Sequence, residues 1–294
     1  MSAASERIIR QPVPIEIAAV QANPPAYFAE VRKSGAVAIN EMGIFIVLKH
    51  KYMDMLLDNE NTRQFELEGM YLRGISSGPL FDFYRDAMLF ANGDVHKRRR
   101  MPMVRTFAYK LMDGMRPRVA AIAAEIIERH LGRGPMNFLD DFSRAVPARV
   151  IAEIIGAPPE DWPRFTKWVA DAARGIGYFE APELPAIEAG VVALTGYVED
   201  LLGNRRTAPK DNFLTSYANA TAAAGDLSPA EVRVQMAGVI LAGSDTTRTG
   251  TAAVLSQLLQ HPEQWALVCA DPDKWKRAAV EEGLRYDPPV GSLP

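Results

Sequence analysis

Cysteine is almost absent from this 294-residue chain, where Cys269 stands alone. That excludes an internal disulfide framework and any zinc or iron–sulfur centre built on several thiolates. Long apolar runs are missing too. The longest, Met236 to Gly243, falls well short of the roughly 18 residues that a bilayer-spanning helix needs. Charge of one sign does not dominate either, with 33 Lys and Arg against 36 Asp and Glu for a net charge of −3. Nucleic-acid binding would call for a basic face, so neither a nucleic-acid nor a membrane partner is expected. Glu6, Arg7, Arg10 and Glu16 interrupt the apolar residues before Gln21, so no signal-peptide core is visible. These absences together point to a soluble, cytoplasmic protein in a reducing compartment.

What is present is ordinary globular composition, 48% apolar and 23% charged, on a chain long enough to bury a sizeable core. Ala36–Asn40 and Ile44–Leu48 are short β-favouring runs around Glu41-Met42-Gly43, which reads as a hairpin. Helical periodicity flanks it at Pro24–Lys33 and Lys51–Asp58. Residues 59–93, with Gly69, Gly74, Gly78 and Pro79, read as a long loop region. Further on, Val119, Ile122, Ala123, Ile126 and Ile127 form a helical apolar stripe. Phe142–Ile155, Trp162–Ala173 and Leu184–Leu202 form others, the first closed by Gly156. No repeat and no linker divides the chain. The expectation is a single domain over 1–294, mainly α with a small β element.

One helix conflicts with local propensity. Ser228-Pro229-Ala230-Glu231 is a capping box with proline at the first helical position, and the next proline is Pro262. About 30 residues of helix would run some 45 Å. Its centre reads Val239-Ile240-Leu241-Ala242-Gly243-Ser244-Asp245-Thr246-Thr247, five poor helix formers after an apolar run. Hydroxyls there can bond back one turn and loosen the helix. An acid beside a hydroxyl at a locally opened, buried turn suits water binding and proton transfer. The alternative is a polar notch, with Asp245 reaching solvent and the threonines packing as filler.

At these residues the sequence resembles the cytochrome P450 family of the soluble bacterial type. Ala242-Gly243-Ser244-Asp245-Thr246-Thr247 is similar to the family's oxygen-activation motif, and Glu282-Gly283-Leu284-Arg285 to its ExxR motif. Met88-Leu89-Phe90 followed by Asp94, His96 and Arg100 resembles the segment whose His and Arg hold haem propionates. The resemblance spans essentially the whole chain. It implies haem b as cofactor, with His96, Arg100, Ala242 and Gly243 around it, the last two leaving room for oxygen and water. Asp245 would relay protons and Thr246 would hold oxygen. Glu282 and Arg285 would form a buried structural pair. Val239, Val290, Gly291 and the loop around 76–92 would line the pocket of a small organic substrate. Dioxygen and a ferredoxin- or flavodoxin-type electron carrier would be the other partners.

Each motif keeps its plainer reading. His-Lys-Arg-Arg-Arg at 96–100 also suits a solvated basic face, and Pro102 is expected to kink or shorten that helix. Glu282 and Arg285 three apart also suit an exposed pair worth about 0.2–0.5 kcal/mol. The family's thiolate comes from a glycine-flanked cysteine loop downstream of ExxR, and no cysteine follows Arg285. Cys269 reads as a small, partly buried hydrophobe and is not expected to ligate iron. His50, His96, His130 and His261 are not expected to ligate it either. The fold is therefore expected to be an incomplete cytochrome P450, its N-terminal and distal portion, inactive alone. An exposed apolar face is expected where the remainder would pack. The alternative is a non-enzymatic helical binding module derived from such an enzyme.

Overall fold

The computed structural model describes residues 11–57, 62–107 and 114–290. They fall into two compact units that divide after Arg63.

The first unit is built on a small sheet. The expected hairpin is present as β2 (Val37–Asn40) and β3 (Phe45–Val47), antiparallel with Val37 opposite Val47. Its turn is held by Asn40, whose Oδ1 accepts from the amides of Met42 (3.0 Å) and Ile44 (2.9 Å). Gly43 takes the left-handed backbone there, at φ 79°. A third strand, β1 (Val13–Ile15), pairs parallel to β2 with Val13 opposite Ala38. Three residues beside prolines carry too little alternation to read as a strand. Helices α1 (Ile17–Ala22) and α2 (Pro24–Ser34) lie between β1 and β2. After β3, a 3₁₀ turn at His50–Tyr52 leads into the short α3 (Met53–Leu56).

The second unit is helical. The region expected to be a long loop instead holds α4 (Glu68–Leu72), α5 (Pro79–Asp86) and a 3₁₀ turn at Met88–Phe90. Gly78 (φ 105°) turns the chain and Pro79 opens α5, so the same residues that look like loop punctuation start a helix. Leu80, Phe81, Phe83 and Tyr84 of α5 are buried, and that burial overrides the local turn signal. Helix α6 (Gly93–Thr106) runs through Pro102, which is buried within it, so the proline does not end the helix.

Next come α7 (Arg116–His130), a π-helical turn at Phe138–Ser143 and α8 (Ala145–Ile155), the last closed by Gly156 at φ 67°. Then follow α9 (Trp162–Arg174), α10 (Leu184–Thr207) and α11 (Phe213–Ala224). Helix α12 (Pro229–Gln260) is 32 residues long, with α13 (Pro262–Ala270) and α14 (Pro272–Tyr286) after it.

Helix α12 packs against α5, α8, α9 and α10, and its Met236, Ala237 and Ile240 are fully buried in their shared core. Helices α9 and α10 make the most extensive helix–helix contact. A Cβ at Gly190 would lie 2.6 Å from Asp171 Cβ and 3.0 Å from the backbone of Ala172, so only glycine lets these helices meet.

Helices α13 and α14 pack on each other and on α12, yet Gly283 is their sole buried residue among those described. Leu259, Leu267, Val280, Tyr286 and Val290 are all exposed. Cys269 is exposed on α13, not partly buried as its apolar neighbours suggest, because α13 turns no residue into the core.

Candidate functional site

The site is carried by α12 and α6. The capping box expected at Ser228 is present: its Oγ accepts from the Glu231 amide (3.1 Å), and Glu231 Oε2 accepts from the Ser228 amide (2.9 Å). The helix then runs uninterrupted through the polar centre, so the turn expected to open locally does not. The hydroxyls do bond back. Thr246 Oγ1 donates to the Ala242 carbonyl (2.7 Å) and Thr251 Oγ1 to that of Thr247 (2.7 Å). With its proton committed, the Thr246 oxygen keeps lone pairs that can accept from a water or ligand.

Neighbouring residues on α12 divide by face. Val239, Ala242 and Thr246, spaced three and four apart, share one stripe, with Ala242 exposed and the other two half-buried. Gly243, four residues after Val239 and three before Thr246, lies on the flank of this stripe that faces α8. A Cβ on it would come within 2.4 Å of Ile151 Cδ1, so the space beside Gly243 is filled by α8. Of the two small residues, only Ala242 leaves room on the open side. Ser244 is buried, and its Oγ has no partner. Asp245 is half-buried and paired with Arg248, whose Nη2 lies 2.7 Å from its Oδ1. The acid is therefore anchored one turn along its own helix, a partner not evident from the motif.

Helix α6 separates its basic run into working groups. Lys97 pairs with exposed Asp94 (3.3 Å). Arg98 and Arg99 both reach Glu231: Arg98 Nη2 at 2.5 Å, Arg98 Nη1 at 3.1 Å and Arg99 Nε at 2.9 Å. Arg99 Nη1 also donates to the carbonyls of Arg85 (2.9 Å) and Ala87 (3.3 Å). Gln235, one turn beyond Glu231, accepts from the Met88 amide (2.7 Å) and donates to the Asp86 carbonyl (2.7 Å). Burial would raise the Glu231 pKa, but Arg98, the Ser228 amide and Arg99 outweigh it and take it down to about 2. This buried cluster was not foreseen. Its one sequence signal, the capping-box glutamate, explains only the Ser228 contact.

His96 and Arg100 remain. They stand one turn apart, His96 half-buried and Arg100 exposed, and neither side chain has a hydrogen-bond or ion-pair partner among the described residues. Two unpartnered groups so placed suit an anionic ligand held by charge-assisted bonds. Glu282 and Arg285 form a bidentate pair with both contacts at 2.7 Å. They lie on the exposed face of α14, 59% and 68% accessible, and not in a buried network. The face of α14 that packs is the one bearing Gly283, whose absent side chain lets Val254 of α12 approach. Val290 is exposed, and Gly291 lies outside the described residues.

No protein-family model matches the chain. A plant-inducible cytochrome P450, pinF1 of Rhizobium radiobacter, is 36% identical over 284 residues, covering 96% of this chain and 67% of the relative. The chain belongs to the cytochrome P450 family. The vitamin D(3) 25-hydroxylase of Pseudonocardia autotrophica is 32% identical over 210 residues, covering 70% of this chain and 50% of that one. Among solved structures, CalO2 superposes with a TM-score of 0.81 at 23% identity, over 92% of this chain and 68% of its own. The chain thus spans about half to two thirds of the length of these proteins.

Membership of this family implies haem b. The residues present fit it in part. His96 and Arg100 fit its propionates, and the open Val239–Ala242–Thr246 stripe fits the small-residue side of an oxygen pocket. The donor set for iron is different. The chain's one thiol, Cys269, sits on exposed α13, and no cluster of three metal-ligating side chains occurs among the described residues. No helix among them is long and apolar enough to cross a membrane.

Proposed function

We propose that residues 1–294 form the oxygen- and substrate-facing part of a haem-dependent monooxygenase that hydroxylates a small organic substrate. The observation that carries this reading is the division of labour on α6. Arg98 and Arg99 are committed to Glu231, while His96 and Arg100 stand ready for an anion on the same helix.

Bound haem would supply the centre at which O2 is activated. The protein's part is orientation and proton supply. Placing one oxygen atom in a C–H bond and releasing the other as water takes two electrons and two protons. The electrons come from a ferredoxin- or flavodoxin-type carrier. Asp245 holds a proton path on the open side of α12, steered by Arg248. Thr246 Oγ1 accepts a hydrogen bond from a water beside Ala242 while its own hydroxyl proton is donated to the Ala242 carbonyl. Val239 and Val290, with Gly291, border the substrate. Gly243 serves packing, since Ile151 occupies its side. The protein works in the cytoplasm, in keeping with a net charge of −3 and no spanning helix among the described residues. We assign Cys269, exposed on α13, no part in the thiolate push that favours O–O cleavage, and expect no turnover from residues 1–294 by themselves.

Haem titration followed in the Soret region tests this. The 1–294 chain should take up haem without a thiolate spectrum. The double variant His96→Ala/Arg100→Ala should bind about tenfold or more weakly, since each charge-assisted bond is worth about 1.5–3 kcal/mol. Equal affinity, or no uptake by the unaltered chain, would contradict the assignment.

A further inference from the structure

The buried cluster around Glu231 is larger than a helix cap requires. One capping bond satisfies the Ser228 amide, yet the same carboxylate accepts three more bonds from Arg98 and Arg99. Glu231, Arg99 and Gln235 are 7%, 8% and 2% exposed. Gln235 and Arg99 then tie down the Asp86–Met88 segment that leads into α6. Burying the Arg99 guanidinium and the Glu231 carboxylate, with Arg98 half-buried beside them, carries a desolvation cost that an apolar contact would avoid, so the arrangement points to specificity of placement.

Helical geometry shows what is placed. At 3.6 residues per turn, the Arg98–Arg99 direction lies roughly a third of the way round α6 from the His96–Arg100 direction. Fixing the arginines to Glu231 therefore fixes the rotation of α6 about its own axis, and with it where His96 and Arg100 point.

We propose that Glu231, backed by Gln235, is a positioning residue that sets the rotation of α6 and thereby aims His96 and Arg100 at the anionic ligand. The inference rests on the reading of α6 as a propionate grip. Glu231 touches no ligand and acts only through Arg98 and Arg99.

The test uses the full 1–294 chain and free-base protoporphyrin IX, which carries the propionates without needing an iron ligand. Affinity is read by fluorescence anisotropy for the unaltered chain, Glu231→Gln, His96→Ala/Arg100→Ala, and all three changes together. Amide hydrogen exchange is read in parallel over residues 85–106, with 184–207 as reference.

Glu231→Gln should weaken binding about tenfold and speed exchange over 85–106 by a larger factor than over 184–207. Combined with the double variant it should add no further loss, because both changes remove the same interaction. A general loss of stability alone would be additive instead and would speed exchange over 184–207 by the same factor as over 85–106, and that result overturns the inference. So does unaltered affinity in Glu231→Gln alongside weakened binding in the double variant, which would leave the propionate grip intact. If His96→Ala/Arg100→Ala binds as well as the unaltered chain, or that chain takes up no porphyrin, the reading of α6 fails first and the inference with it. Should Glu231→Gln not fold, Gln235→Leu carries the same expectations with a smaller loss.

Discussion

A carboxylate that accepts from two arginines and an amide while 7% exposed makes the stability of this protein depend on pH. The folded-state pKa of Glu231 is about 2, against 4.5 for the ordinary side chain. The shift is downward, so its stabilisation is complete above pH 4.5 and drains away as pH falls toward 2. By linkage the full amount is of order 3 kcal/mol. Urea unfolding of the unaltered chain and of Glu231→Gln should therefore show a gap that is widest above about pH 5 and closes toward pH 2. A gap independent of pH would mean that Glu231 is not ionised against Arg98 and Arg99 in the fold. The surface pair Glu282–Arg285 offers a contrast. Arg285 lowers the Glu282 pKa, but both groups are exposed, and solvent screens what they exchange.

Among the elements, two of the three glycines on α10 should respond in opposite ways. Gly190 sits where a Cβ would meet Asp171 Cβ at 2.6 Å and the α9 backbone at 3.0 Å, whereas nothing lies within 4 Å of the Cβ position of Gly203. Gly190→Ala should destabilise by about 2 kcal/mol or more, since backbone must move apart. Gly203→Ala should stabilise by roughly 0.5–1 kcal/mol through helix propensity alone. Thermal unfolding of both variants checks this, and the same sign for both would contradict the α9–α10 packing.

This is also the scale at which the sequence was most informative. Ser228-Pro229-Ala230-Glu231 and Gly156 marked their helix ends because caps are local chemistry, and the Asn40–Gly43 turn marked the hairpin. Helix α5 was hidden because Gly78 and Pro79 read equally as loop, and only burial of its aromatic residues decides. The motif residues Asp245, Thr246, His96 and Arg100 were legible as types. Arg98, Arg99 and Gln235 were not, because their partners lie more than a hundred residues away in sequence.

Across the second unit, apolar exposure is uneven. Leu259, Leu267, Val280, Leu284, Tyr286 and Val290 are accessible on the last three helices and the segment after them. Apolar surface gathered in this way drives association in water. Size-exclusion chromatography should show concentration-dependent self-association of the 1–294 chain, relieved by Leu267→Glu with Val280→Glu. A monomer unaffected by concentration would contradict a sticky face there.

In the function proposed above, this P450 chain carries a propionate grip and an acid–alcohol helix, and its one thiol, Cys269, is exposed on α13. The most direct measurement is the reduced carbon monoxide difference spectrum of the purified 1–294 chain after haem addition. No thiolate-type band is expected, because the one thiol, Cys269, is exposed on α13. A thiolate-type band that disappears in Cys269→Ser would contradict it.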